Sequence, residues 1–335
     1  MGQGRRRTRW AGIGAIVAAA LALTGCTGAR SDFSQEFRGD PAIAEMELTT
    51  GDNMPFTDGV RAEVTLSHDL AHADTAELLT RLSAFIREHG DEPVRVSVTA
   101  PAGDITLPVF GDDAVTAAAV TAASDIAADP LVTNVTLRGP SQDSRITGVG
   151  IVIEPDLATA FALAHSAPER LAPLAGPGGA YVSVSDSGLA IRLEGAPGQW
   201  LDDTESSWAQ VNPAFPVIGV RGDQDRITLI LENEADVPGA QAIVQAVAPP
   251  PLIPVHFGSP LVQLGQNGTG DEVRVMLAQL DAPTLALIRL VWTTDSRAVF
   301  RAANDADAAT LERALAQLPE EARGGLEVEV DVEKD

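Results

Sequence analysis

Val60-Arg61-Ala62-Glu63-Val64-Thr65-Leu66, followed after a polar break by Asp74 and the run Thr75 to Glu88, decides how this chain is read. The first stretch alternates apolar and polar residues, which is the period of a strand with one buried face. The second places Leu78, Leu79, Leu82, Phe85 and Ile86 on one side of a helix and offers Asp74 as its N-cap. Val94 to Thr99 and Ile105 to Val109 alternate again around the turn Pro101-Ala102-Gly103-Asp104. Asp112 then caps an alanine-rich helix to about Ala127, and Val132 to Leu137 closes the set as a strand. The order is β-α-β-β-α-β.

That order returns along the chain. Val149 to Ile153, a helix over Asp156 to His165, strands at Tyr181 to Ser185 and Leu189 to Leu193, a helix near Leu201 to Val211 and a strand at Val217 to Val220 repeat it. A third copy opens with Arg226 to Leu231 and a helix near Val237 to Val247, but its second half does not reappear. A fourth opens with a strand at Val273 to Ala278 and a helix around Pro283 to Leu290. It continues through a hairpin on Thr294-Asp295-Ser296, a helix at Asp307 to Leu318 and a strand at Leu326 to Val332. The pattern predicts an α+β fold of tandem ferredoxin-like units, each with helices over one face of an antiparallel sheet. Unit boundaries fall at 42–140 and 145–221, with an incomplete third unit plus a fourth over 226–335.

Upstream, residues 1–10 are basic and Ala11 to Leu23 form an apolar run of 13 residues. That suits the hydrophobic region of an export signal and is too short for a typical spanning helix. Leu23-Thr24-Gly25-Cys26 ends it. With its basic, apolar and small-residue blocks, this stretch resembles the lipobox signal of bacterial lipoproteins, and the resemblance covers the first 26 residues only. It implies that the Cys26 thiol receives a diacylglyceryl group and that residues 1–25 are cut away. The folded part would then sit on the extracytoplasmic side of the cell membrane. At ~0.8 kcal/mol per buried methylene, two acyl chains hold a soluble domain where one does not. Residues 26–41 complete the anchor as lipidated cysteine and linker, because Thr27 to Pro41 is polar and shows no periodicity.

Charge narrows the partners. The chain of 335 residues carries 23 basic and 47 acidic residues, a net of −24. Removing Arg5, Arg6, Arg7 and Arg9 with residues 1–25 leaves 19 basic against 47 acidic residues, a net of −28. Such a surface repels phosphate backbones, so no nucleic acid is expected as a partner. Cys26 is the only cysteine, so packing alone must stabilise the folded part.

Few residues suggest chemistry. His68, Asp69, His72 and Asp74 form the most ligand-like cluster. Histidines four apart share a helical face, but this stretch falls between strand and helix and lacks the intervening glutamate of a zincin. Glu232-Asn233-Glu234-Ala235-Asp236 and Asn304-Asp305-Ala306-Asp307 alternate oxygen ligands, yet lack the glycine and terminal glutamate of an EF-hand. Acids before a helix also favour its positive end. No catalytic residue, metal or cofactor is expected. The most unusual stretch, Val237 to Gly270, runs 34 residues without Asp, Glu, Lys or Arg. The stretch either packs between units as a buried connection, exposes an apolar surface for a partner, or is a mobile linker, and Pro249-Pro250-Pro251-Leu252-Ile253-Pro254-Val255-His256-Phe257 is its possible interaction segment. The residues point to a membrane-anchored, non-catalytic interaction or structural module of the cell envelope, with an envelope protein or wall polymer as partner. A solute-binding lipoprotein is the alternative, and a metal-dependent envelope enzyme using His68 and His72 a third.

Overall fold

A computed structural model describes residues 28–50, 60–68, 70–90, 94–188 and 190–333. Leu23, Thr24, Gly25 and Cys26 lie outside the described residues, as do Asp69 and the side chain of His72. The chain divides into two compact units. One holds residues to Pro130 with Asn134–Val149 and Leu171–Pro177; the other holds Leu131–Thr133, Gly150–Arg170 and the chain from Gly178 onward. The segments expected as 145–221 and 226–335 therefore fall largely together in the second unit.

The first unit opens with a helix where a linker was expected. α1 (Gly28–Phe37) carries Ala29, Phe33 and Phe37 four residues apart, and all three are buried. Phe33 meets Phe85 edge-on at 5.1 Å between ring centroids. Burying an aromatic side chain this fully stabilises by roughly 1.5–3 kcal/mol, enough to hold a short and otherwise polar helix. Gly39 ends it in the left-handed region at φ +79°, which costs a glycine nothing.

β1 (Ile43–Thr50) then pairs antiparallel with β2 (Val60–Leu66). α2 (His72–Glu88) begins before the expected cap: Ala71 is its N-cap, and Asp74 sits in its first turn. β3 (Val94–Thr99) and β4 (Ile105–Val109) form the expected hairpin. α3 (Asp113–Ala127) is capped as expected, Asp112 accepting from the N–H groups of Ala114 at 2.8 Å and Val115 at 3.4 Å. β5 (Val132–Arg138) follows. Buried Ser83 and Thr116 lie 3.3 Å apart, which sets α2 beside α3. Alternate strand residues face these helices, in the one-sided pattern the alternation predicted.

In the second unit the elements are β6 (Gly148–Ile153), α4 (Leu157–Leu171), β7 (Tyr181–Asp186), β8 (Ile191–Gly195), α5 (Gln199–Val211), β9 (Val217–Gly222), β10 (Ile227–Leu231), α6 (Val237–Gln245) and β11 (Val255–Gly258). A four-stranded sheet follows in the order β12 (Val262–Leu264), β13 (Ile288–Thr293), β14 (Arg297–Ala302), β15 (Glu327–Val332). α7 (Asp271–Leu277), α8 (Ala282–Leu285) and α9 (Asp305–Ala316) complete the set. α4 runs past His165 because Ala167 and Leu171 continue its buried stripe, and Pro168 forfeits only one backbone hydrogen bond.

Two further expectations need correction. The sheets are mixed, not antiparallel. β2 pairs parallel with β3, β4 with β5, β8 with β9, β10 with β11, β12 with β13 and β14 with β15. A ferredoxin-like unit inserts another strand between the two that a helix joins; here those two are direct neighbours and strand order follows chain order within each unit. The alternation of apolar residues says which face a strand buries and is silent on which strand lies next to it. The second correction concerns Val273 to Ala278, expected as a strand. It is α7, because Val273, Met276 and Leu277 bury one helical face while Val275 stays exposed. With that change the missing half of the third copy reappears as β12-α7-α8-β13. Strand–helix–strand segments thus open at residues 60, 105, 148, 191, 227, 262 and 297.

Candidate functional site

The uncharged stretch resolves into three parts. Val237 and Ala240 of α6 are buried, and so are Phe257, Val262 and Leu264 of the following strands. Between them, Ala246 to Pro254 forms a largely exposed loop. Pro249, Pro250 and Pro254 are exposed, Pro251 and Ile253 half-buried, and Leu252 is 81% exposed. The loop is fixed from below: the Leu252 N–H donates to Asp203 Oδ2 of α5 at 3.0 Å. Of the expected segment, His256 and Phe257 belong to β11 instead, with Phe257 in the core. The stretch thus places buried residues in α6 and in β11 and β12 and is largely exposed in the loop between α6 and β11.

His256 lies at the edge of a more structured place. Strand register puts Arg192 of β8, Arg221 of β9, Thr228 of β10 and His256 of β11 in one row across the sheet. Gly222 faces α5, where a Cβ would lie 2.8 Å from the Thr204 hydroxyl, so its neighbour Arg221 points to the side without helices. A cleft of about 580 Å³ opens there, walled by Arg192, Arg221 and Thr228 of this row, by Glu194, Asp223, Asp225 and Arg226, and by the turn Gly265-Gln266-Asn267. Arg226 fastens the turn. Its guanidinium donates to the Gly268 carbonyl and, at 3.5 Å, to that of Gly265, and its Nε donates to the Thr228 hydroxyl at 3.3 Å. Burial lowers the pKa of Arg226, with Asp223 opposing. Burial also lowers that of His256, reinforced by the Arg226 charge and opposed by Asp271, so this imidazole is neutral at pH 7.

Behind the cleft, an ion pair joins the two sheets of this unit. Arg274 Nε of α7 donates to Glu234 Oε1 at 2.6 Å, its Nη2 reaches the Phe257 carbonyl at 2.6 Å, and the Ser259 hydroxyl donates to Glu234 Oε2 at 2.6 Å. Side-chain exposures are 15% for Arg274 and 16% for Glu234. Glu234, one of the alternating oxygen ligands that calcium could use, is thus committed to arginine. Asn304 caps α9, its side chain accepting from the Asp307 N–H at 3.0 Å.

The first unit has a different recess. About 310 Å³ lies between α2, α3 and the strand ends, lined mainly by Leu66, Leu70, Leu79, Val98, Ile105 and Leu107. His68 stands at its rim in an exposed turn, and His72 is the first residue of α2. The two histidines therefore do not share a helical face. Among the described residues no group of three His, Cys, Asp or Glu is placed to hold a metal. No helix among them is long and apolar enough to cross a membrane.

Searches against protein-family models, curated proteins and solved structures found no match to this chain. The cleft itself escaped sequence reasoning. Its members are spread from Arg192 to Asn267, and only strand register gathers them.

Proposed function

We propose that this chain is a bacterial lipoprotein whose Cys26 carries a diacylglyceryl anchor. Its folded part is a non-catalytic interaction module of the cell envelope, built from tandem strand–helix–strand repeats. One observation carries the interaction reading: a fixed, uncharged loop with Leu252 81% exposed, in a chain of net charge −24. An apolar residue held outward on a proline-stiffened loop loses little conformational freedom when a partner covers it. The partner is an envelope protein or wall polymer.

A photo-cross-linking residue placed at position 252 in growing cells tests this directly. A discrete adduct that disappears when Pro250 and Ile253 are both changed to serine supports the reading, and no adduct in intact cells overturns it. The anchor is tested separately. A labelled fatty acid should incorporate into the protein, and Cys26→Ser should abolish the label and release the protein from membranes.

A second reading, a solute-binding lipoprotein, draws on the apolar recess of about 310 Å³ in the first unit. A ligand-induced rise in melting temperature, lost when Val120 at that recess becomes glutamate, would favour it.

A further inference from the structure

We infer that the cleft of the second unit is a binding site for a neutral oligosaccharide, recognised through its hydroxyl groups. The cleft measures about 580 Å³ and its charges balance: Arg192, Arg221 and Arg226 face Glu194, Asp223 and Asp225. These groups are largely engaged with one another or with backbone. Arg192 donates to Glu194 at 2.7 Å, Asp223 accepts from the Asp225 and Arg226 N–H groups, and Arg226 holds the Gly265 and Gly268 carbonyls. A phosphate would have to pull an arginine off an existing partner, and among the described residues no three carboxylate or imidazole groups are placed to hold a cation. In a chain of net charge −24, a charge-balanced cleft selects for directional hydrogen bonding.

The groups left over suit hydroxyls. The side chains of Asp225, Gln266 and Asn267 make no hydrogen bond among the described residues, and all three are exposed. One carboxylate and two amides supply planar, paired acceptors and donors, which match the spacing of adjacent hydroxyls on a sugar ring. Beside them is an aromatic surface. The Trp292 indole packs over Gly265, where a Cβ would come within 2.6 Å of the ring. Trp292 is 36% exposed, and its N–H has no partner among the described residues. An indole offers apolar area to the C–H face of a sugar and a donor to its rim. The turn that carries Gln266 and Asn267 is already fixed through Arg226, so binding would not have to order it.

The inference goes beyond the anchored-module reading and names a site separate from the proline loop. Its test uses the full chain in detergent micelles. Trisaccharides of glucose, mannose, galactose, arabinose and N-acetylglucosamine are titrated while tryptophan fluorescence and calorimetric heat are recorded, with inorganic phosphate as the charged control. At least one trisaccharide is expected to bind and phosphate not to compete. Gln266→Ala and Asp225→Asn, each on an exposed side chain, should each weaken that binding at least fivefold with an unchanged melting temperature. Trp292→Phe should keep part of the affinity and abolish the fluorescence response. No binding by any trisaccharide, binding unaffected by both cleft variants, or competition by phosphate overturns the inference. Cys26→Ser and the loop variants should leave trisaccharide affinity unchanged. A failure here with the adduct at position 252 intact removes the sugar site and leaves the anchored module standing.

Discussion

The two recesses were built by opposite means. The first unit's recess of about 310 Å³ is a gap in packing, where Leu79, Val98 and Leu107 meet between helices and sheet. The second unit's cleft of about 580 Å³ lies on the helix-free side of a sheet and is walled by polar side chains. Apolar walls are stability: Leu66, Val98 and Leu107, which line the gap, are also buried in the core beside it. Polar walls that are already exposed contribute little to stability and are available for recognition. The contrast teaches that the larger recess, and the one with fewer fold-bearing residues, is the better candidate for a site.

The comparison breaks most sharply at the ion pair behind the cleft. Glu234→Ala leaves Arg274 partly buried without its carboxylate and should cost about 4 kcal/mol. Hydrogen exchange should then show lost protection in the second unit, with the strands of the first unchanged. Uniform loss across both units would remove the distinction between them. Next in size, Leu107→Ala at the wall of the apolar recess should cost about 3 kcal/mol in urea unfolding and enlarge the gap. A cost near zero would mean that this wall is not core.

A smaller effect is defined by its sign. His256 has a folded pKa lowered by burial, so the unfolded chain binds that proton more readily. Its contribution to stability is complete above about pH 6.5, the unfolded value, and is lost as the pH falls through the folded one. His256→Gln should flatten the acid limb of the second unit's stability profile, and a steeper limb would contradict the assignment. Smallest of all, Gln266→Ala at the cleft should change stability by no more than about 0.5 kcal/mol. A loss of several times that would make the cleft wall structural, like the other recess.

Much of the fold is legible in the order of the amino acids. The alternation in Ala62 to Leu66, the stripe from Leu78 to Ile86 and the Asp112 cap each gave the right element in the right place. These signals work because strand and helix periods are local, spanning two to four residues. Where two local signals competed, the reading failed. Val273 and Val275 favour a strand by their β-branching, but the Arg274–Glu234 pair and the burial of Met276 select a helix. Ala29, Phe33 and Phe37 had helical spacing in plain view, but the polar residues between them masked it. The lipobox is the opposite case: its chemistry is carried wholly by adjacent letters, and residues 23–26 lie outside what the structure describes.

What the sequence determined by itself was the content of the fold: α+β, strands alternating with helices, one face of each strand apolar. Tertiary structure alone decided the neighbours. It set β2 directly against β3, placed Arg192, Arg221, Thr228 and His256 in one row, and closed the turn at Gly265 over them. The physical reason is range. A residue's period depends on the few residues beside it, whereas a row across a sheet depends on the register of strands dozens of residues apart, and register is settled only when helices and strands pack together.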